Sequence, residues 1–67
     1  MATLGDRIKQ IRKENCLTQM EFASKLRISR PHITNIENNK EKPSGTLLLL
    51  ISILFNTDED WLINGSK

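Results

Sequence analysis

Apolar residues recur at helical spacing along the chain, and capping residues mark where the helices begin. Leu4, Ile8 and Ile11 lie three or four positions apart, which is the spacing of one buried helix face. The pattern predicts a first helix from Thr3 to Glu14. The residues expected on its other faces are Arg7, Lys9, Arg12 and Lys13.

The next two helices are predicted from their N-terminal caps. Thr18-Gln19-Met20-Glu21 has the form of a capping box, in which the Thr and Glu side chains each accept from a backbone amide of the other residue. This helix ends near Leu26, with Phe22, Ala23 and Leu26 facing inward. Ser29 caps a third helix, in which Pro31 is tolerated because first-turn amides have no partner within a helix. Its inward stripe is Ile33 and Ile36, and it is ended by Asn38, Asn39, Lys40 and Pro43.

Two more helices complete the predicted fold. Ser44 opens a fourth helix that runs to about Phe55, with Asn56 as its left-handed C-cap. Thr57 caps a last short helix, Asp58–Ile63, whose early acidic residues suit the positive end of a helix. Trp61 and Leu62 of this helix are expected to face the core, and Asn64-Gly65 ends the helix. We therefore expect an all-α fold, a compact five-helix bundle, with residues 1–67 as a single domain.

Basic charge is concentrated in the first four helices. The ten Lys and Arg outnumber the eight Asp and Glu by two, and three of the acidic residues lie together at 58–60. Residues 1–56 consequently carry nine basic and five acidic side chains, a net charge of +4. A basic surface on these helices is what a nucleic-acid phosphate backbone would require.

Other classes of function are disfavoured by composition. One cysteine, Cys16, forms no internal disulfide, which fits a reducing cytoplasm, and we expect it to be a semi-buried structural residue. The N-terminus has no apolar signal core, and Leu47–Leu54 is far shorter than the roughly 20 residues of a membrane helix. One His, one Cys and scattered carboxylates form no catalytic or metal-binding set. We expect a soluble cytoplasmic protein that is not an enzyme and that has no metal, cofactor or small-molecule ligand.

The connection between the second and third helices is the main functional signal. Only Arg27 and Ile28 separate the helix that ends at Leu26 from the cap at Ser29. A turn this short holds two helices at a steep angle, so that one crosses the DNA backbone while the other enters the major groove. It requires a small residue where the helices touch and apolar anchors behind the second one, and the candidates are Ala23, Ile33 and Ile36.

With these segments in order, the chain resembles the Cro and phage-repressor (XRE-type) family of helix-turn-helix proteins. The resemblance runs through LGDRIKQIRKEN, LTQMEFASKL, ISRPHITNIENNK, KPS and DWLING, and the last segment is similar to the repressor domains of lambdoid phages. It implies a lambda-repressor-like bundle that binds double-stranded DNA with the third helix in the major groove.

The resemblance also implies roles for individual residues. Arg30 would bind guanine O6 and N7, and Asn35 would read adenine N6 and N7. The complete base-reading set is Arg30, Pro31, Thr34 and Asn35. A second set would contact the sugar-phosphate backbone and fix register without reading sequence: Gln19, Ser29, His32, Asn38, Lys40 and Lys42. Gln19 would in addition support a base-reading side chain.

Three further expectations come from the family pattern. Arg12 and Glu37 match a partly buried ion pair. Cys16 and Arg27 stand where most relatives have a glycine in the left-handed conformation, so either they accept that strain or the turns differ. Leu50 and Ile53 stand where polar residues are common, and such surplus apolar side chains suggest a homodimer interface.

The implied function is sequence-specific transcriptional regulation. We expect a bacterial or phage repressor that acts as a dimer on a palindromic operator. One alternative is an antitoxin or a restriction-modification controller of the same fold. Another is a protein-interaction adaptor that has lost DNA binding, which predicts no salt-dependent binding to DNA.

Overall fold

Five α-helices account for the secondary structure of the computed structural model, which describes residues 2–65. They are α1 Leu4–Glu14, α2 Gln19–Leu26, α3 Arg30–Glu37, α4 Gly45–Leu54 and α5 Glu59–Asn64. The predicted all-α bundle of five helices is thereby confirmed. Residues 1, 66 and 67 of the predicted domain lie outside the described residues.

Each helix begins at a residue whose side chain accepts a hydrogen bond from a first-turn amide. Thr18 and Glu21 form the predicted capping box, and Ser29 and Ser44 cap α3 and α4. A backbone N–H of Thr18 donates to the Glu21 carboxylate at 2.9 Å, and this bond lowers the pKa of Glu21. Local hydrogen-bonding chemistry therefore fixes where these helices start.

The cap of α5 differs from the prediction. We expected Thr57, but Asp58 is the N-cap, and its Oδ1 accepts from the Asp60 amide at 3.1 Å. Thr57 is already used by the end of α4, because its amide donates to the Ser52 carbonyl at 2.9 Å and its hydroxyl to the Phe55 carbonyl. The preceding helix thus decides which of two neighbouring candidates becomes the cap.

A residue with positive φ follows every helix of the described chain. These residues are Cys16, Arg27, Asn39, Asn56 and Gly65, with φ between 50° and 71°. After α1 to α4, the next amide donates back five positions, for example from Ile28 to the Ala23 carbonyl at 3.0 Å. This is the Schellman pattern, which satisfies carbonyls that a helix end leaves unpaired. Cys16 and Arg27 therefore accept the left-handed strain. Asn56 is left-handed as predicted, but it follows the C-cap of α4, which is Phe55.

The core lies where α2, α3 and α4 pack against α1 and α5. The Phe22 and Phe55 rings lie 5.2 Å apart between centroids and join α2 to the end of α4. Leu62 is fully buried and Trp61 half-buried, so α5 folds back onto the core as expected. The buried hydrophobic residues are Ile8, Ile11, Phe22, Ala23, Leu26, Ile33, Ile36, Leu47, Leu48, Ile51 and Leu62.

The burial of two polar residues, one in α1 and one just after it, differs from the prediction. Arg7 is buried: its Nε donates to the Leu62 carbonyl at 2.8 Å and its Nη2 to the Ile63 carbonyl at 3.0 Å. It therefore satisfies carbonyls at the end of α5, a contact that helical spacing alone does not reveal. Cys16, expected to be semi-buried, is exposed, since the left-handed turn after α1 carries it away from the core.

Gly5 allows α1 to approach the end of α3 closely. A Cβ at this position would lie 2.6 Å from the Ile36 and Glu37 carbonyl oxygens. Only the absence of a side chain permits this approach. The residue therefore fixes how the first helix seats against the helix that carries the candidate base-reading side chains.

Candidate nucleic-acid interface

The turn between α2 and α3 sets the two helices of the motif against each other. Arg27 has φ 61° and ends α2, and Ser29 caps α3 by accepting from the His32 amide. Ala23 is 2% exposed where the helices pack, and the anchors Ile33 and Ile36 are fully buried behind α3. The small residue and the apolar anchors therefore lie where the turn requires them.

One side of α3 is buried and the opposite side faces solvent. Ile33 and Ile36 point into the core. On the other side, a single shallow depression of the surface is lined by the four candidate base-reading residues, Arg30, Pro31, Thr34 and Asn35. The fold thus brings these four side chains together on one accessible face, as a helix that enters a DNA groove requires.

Gln19 connects this face to the interior. Its Oε1 accepts from the Thr34 hydroxyl at 3.2 Å, and its Nε2 donates to Glu37 Oε1 at 3.2 Å. Glu37 is in turn held by Arg12, whose Nε lies 2.7 Å from Glu37 Oε2. The side chain of Glu37 is 2% exposed and that of Arg12 is 11% exposed. A chain of hydrogen bonds, nearly buried at its Arg12–Glu37 end, therefore runs from α1 to a side chain on the exposed face.

The loop after α3 carries the other candidate phosphate contacts. Asn38, Lys40 and Lys42 are exposed. The loop is anchored by Asn39, whose Nδ2 donates to Thr3 Oγ1 at 2.8 Å and whose Oδ1 accepts from the Gly5 amide at 3.0 Å. Exposed lysines on an anchored loop are suited to contact phosphates without reading bases.

Sequence reasoning missed Glu41, which lies at the edge of this face. Glu41 Oε1 accepts from Asn35 Nδ2 at 3.1 Å, and Glu41 Oε2 lies 3.1 Å from His32 Nε2. His32 is half-buried beside the loop. In the sequence, Glu41 is only one of the five acidic residues within positions 1–56. No spacing rule relates a loop residue to a side chain on a helix face six positions earlier.

An apolar strip runs along the outer face of α4. Ile53 is 66% exposed, and Leu49 and Leu54 are about half exposed. Leu50, expected beside Ile53 on the outside, is only half-exposed and packs against the core. The strip therefore consists of Leu49, Ile53 and Leu54, with Leu50 at its inner edge.

The described residues offer no metal site or membrane-spanning helix. Within residues 2–65, no group of three His, Cys, Asp or Glu side chains could hold a metal ion. None of the described helices is long and apolar enough to cross a membrane.

The comparison with protein families decides the identity of the fold. A family model described as a helix-turn-helix domain matches residues 5–67, which is nearly the whole chain. The chain belongs to this helix-turn-helix family. Its members are transcription regulators, as the resemblance implied, and not enzymes.

Relatives of this helix-turn-helix domain include a bacterial transcriptional regulator and a phage repressor. It is 36% identical over 65 residues to the transcriptional regulator ImmR of Bacillus subtilis. The aligned region covers 97% of this chain and 51% of ImmR. It is 48% identical over 42 residues to the immunity repressor protein of Bacillus phage phi105, which covers 63% of this chain and 29% of that protein. The chain thus spans about half or less of the length of these two relatives.

A solved structure extends the likeness to three dimensions. The P22 c2 repressor, in a crystal structure with synthetic operator 9T, superposes with a TM-score of 0.88 at 26% identity and covers 98% of this chain and 100% of that chain. The Cro and phage-repressor type of fold, inferred above from short sequence motifs, is therefore confirmed.

Proposed function

We propose that this helix-turn-helix domain is a sequence-specific transcriptional regulator that binds double-stranded DNA and acts as a repressor. The observation that carries the proposal is the common face of Arg30, Pro31, Thr34 and Asn35 on the exposed side of α3. Side chains on such a face can reach base edges when the helix lies in the major groove. We assign residues 1–67 as one DNA-binding domain, which works in the cytoplasm.

The interface divides into reading and holding residues. Arg30 presents a guanidinium for guanine O6 and N7, and Asn35 presents an amide for adenine. Gln19, Ser29, His32, Asn38, Lys40 and Lys42 contribute backbone contacts. Gln19 also supports the Thr34 hydroxyl. The holding residues give affinity and salt dependence, and the reading residues give sequence preference.

The relatives favour a repressor over the other readings. ImmR is described as a transcriptional regulator and the phi105 protein as an immunity repressor, and the P22 c2 repressor was solved with an operator. Neither ImmR nor the phi105 protein is described as an antitoxin or a restriction-modification controller. A polar and accessible α3 face is also unlike the surface of an adaptor that has lost DNA.

We further propose that the domain pairs with a second copy through α4. Leu49, Ile53 and Leu54 expose apolar area on one helix, and burial of that area would stabilise a dimer. Two copies on half-sites about one helical turn apart would suit a palindromic operator and would exclude polymerase from it. A monomeric mass at high micromolar concentration, with and without DNA, would contradict the pairing.

Selection of bound duplexes from a random DNA pool tests the proposed function. We expect enrichment of a short sequence, repeated in inverted order if the domain pairs. Binding of the enriched duplex should weaken about a hundredfold between 50 and 200 mM salt if four phosphates are contacted. An adaptor would enrich no sequence and would show no salt-dependent binding.

A further inference from the structure

We propose that Glu41 is a positioning residue that sets the orientation of the Asn35 side-chain amide and thereby the base preference of α3. The inference rests on the proposed function, in which Asn35 reads a base. Its basis is the pair of contacts from the two Glu41 carboxylate oxygens, 3.1 Å to Asn35 Nδ2 and 3.1 Å to His32 Nε2.

The backbone after α3 delivers Glu41 to this position. Asn39 has φ 62° and turns the chain back, and its side chain is tied to α1 through Thr3 and Gly5. The Lys40 amide then donates to the Asn35 carbonyl at 2.8 Å and the Glu41 amide to the same carbonyl at 3.3 Å. The backbone of Glu41 is therefore bonded to the residue whose side chain it also contacts.

The chemistry of the two groups makes the contact directional. An ionised carboxylate only accepts hydrogen bonds, so it can pair with the NH₂ end of an amide but not with its oxygen. Glu41 therefore turns Asn35 Nδ2 toward the loop and Oδ1 away from it. The Glu41 bond uses one N–H of Asn35. The second N–H and the Oδ1 of Asn35 make no hydrogen bond within residues 2–65. These are the donor and the acceptor that adenine N7 and N6 require.

His32 lies against the other oxygen of the carboxylate. With Oε2 near His32 Nε2 and Oε1 bonded to Asn35, both oxygens of Glu41 are used. A carboxylate that is bonded to Asn35 at one oxygen and lies beside His32 at the other has a restricted direction, although the Glu41 side chain is 47% exposed. The order of a base-reading site depends on this kind of support.

A negative charge beside a phosphate-binding surface also opposes DNA binding. This gives Glu41 a signature that other roles lack. Removal of the Glu41 carboxylate should raise the affinity for DNA of any sequence and should at the same time weaken the preference for one base. A residue that only stabilised the loop would weaken binding to all sequences.

The test compares selection from a random duplex pool by five proteins: the unchanged chain, Asn35→Ala, Glu41→Ala, Glu41→Gln and Glu14→Ala. The unchanged chain should prefer adenine at one position of the site by roughly tenfold. Asn35→Ala and Glu41→Ala should each reduce that preference to about twofold, and other positions should keep theirs. Glu41→Gln retains an acceptor oxygen and should keep the adenine preference of the unchanged chain. Glu14→Ala removes one exposed acid from α1 and should leave it unchanged.

The outcomes separate the inference from the function on which it rests. If the unchanged chain selects no sequence, or if Asn35→Ala alters no single position, base reading by Asn35 is wrong. If Asn35→Ala behaves as expected but Glu41→Ala keeps the adenine preference, only the positioning role is wrong. Loss of preference in Glu41→Gln, or an equal loss of affinity for every sequence in Glu41→Ala, also overturns it. Equal melting temperatures establish that the variants fold. If Glu41→Ala does not fold, Glu41→Lys replaces it, because a lysine side chain can donate a hydrogen bond but cannot accept one.

Discussion

Arg12 and Glu37 form a two-point ion pair that joins α1 to the last turn of α3. Arg12 Nε lies 2.7 Å from Glu37 Oε2, and Arg12 Nη2 lies 3.2 Å from Glu37 Oε1. Both side chains are nearly buried, so the loss of one partner leaves the other as an uncompensated charge. We expect Arg12→Met alone to lower the free energy of unfolding by about 3–5 kcal/mol.

The double variant Arg12→Met/Glu37→Leu is the control for this pair. Because it removes both charges, it should cost clearly less than the sum of the two single changes. Urea denaturation of all four proteins measures the difference. Strict additivity would show that the pair makes no specific contribution to folding.

Gly5 should tolerate no side chain, whereas Gly45 should accept one. A Cβ on Gly5 would lie 2.6 Å from two backbone carbonyl oxygens, and a Cβ on Gly45 would meet nothing within 4 Å. We expect Gly5→Ala to destabilise the fold by about 1–3 kcal/mol through overpacking. Gly45→Ala should stabilise it by about 0.4–1 kcal/mol, since alanine restricts the unfolded chain. Thermal unfolding checks both, and shifts of the same sign would contradict the account.

The helices were predictable because their signals are local. Thr18 with Glu21, and Ser29 with Pro31, mark helix starts within four residues, and apolar spacing marks the buried faces. The cap of α5 was misplaced by one residue because the Thr57 amide pairs with Ser52 of the preceding helix. Errors thus arise where two local signals compete for one residue.

The contacts between distant parts of the chain were not predictable from spacing. Arg7 reaches carbonyls more than fifty positions away at the end of α5. An arginine on a polar helix face gives no local indication of such a partner. Glu41 likewise needs the turn at Asn39 before it can contact Asn35. The Arg12–Glu37 pair was anticipated only because the family resemblance supplied it.

Arg27 carries a strain that glycine would relieve. Its φ of 61° lies in the left-handed region, which costs a non-glycine residue roughly 1 kcal/mol. We expect Arg27→Gly to raise the free energy of unfolding by up to about 1 kcal/mol. Arg27→Ala keeps the strained backbone and should change it by less than about 0.5 kcal/mol. Equal effects of the two changes, measured by urea denaturation, would refute this explanation.

Pairing through α4 should be sensitive to charge on the apolar strip. We expect Ile53→Lys to shift the domain toward the monomer, because a charge would have to be buried in the interface. Met20→Lys is the matched control, since Met20 is 65% exposed and Ile53 is 66% exposed, but Met20 lies on α2. Sedimentation equilibrium measures the mass of each protein. The same mass distribution for Ile53→Lys and the unchanged chain would rule out this interface.

The central claim is that the exposed face of α3 reads bases while the following loop holds the backbone. Fluorescence anisotropy on an enriched duplex and on its scrambled control tests it most directly, with Arg30→Ala and Lys40→Ala compared at one salt concentration. Arg30→Ala should lose about 1–3 kcal/mol on the enriched duplex and little of that on the scrambled one. Lys40→Ala should weaken binding to both duplexes alike. Equal losses on both duplexes for both variants would contradict the claim.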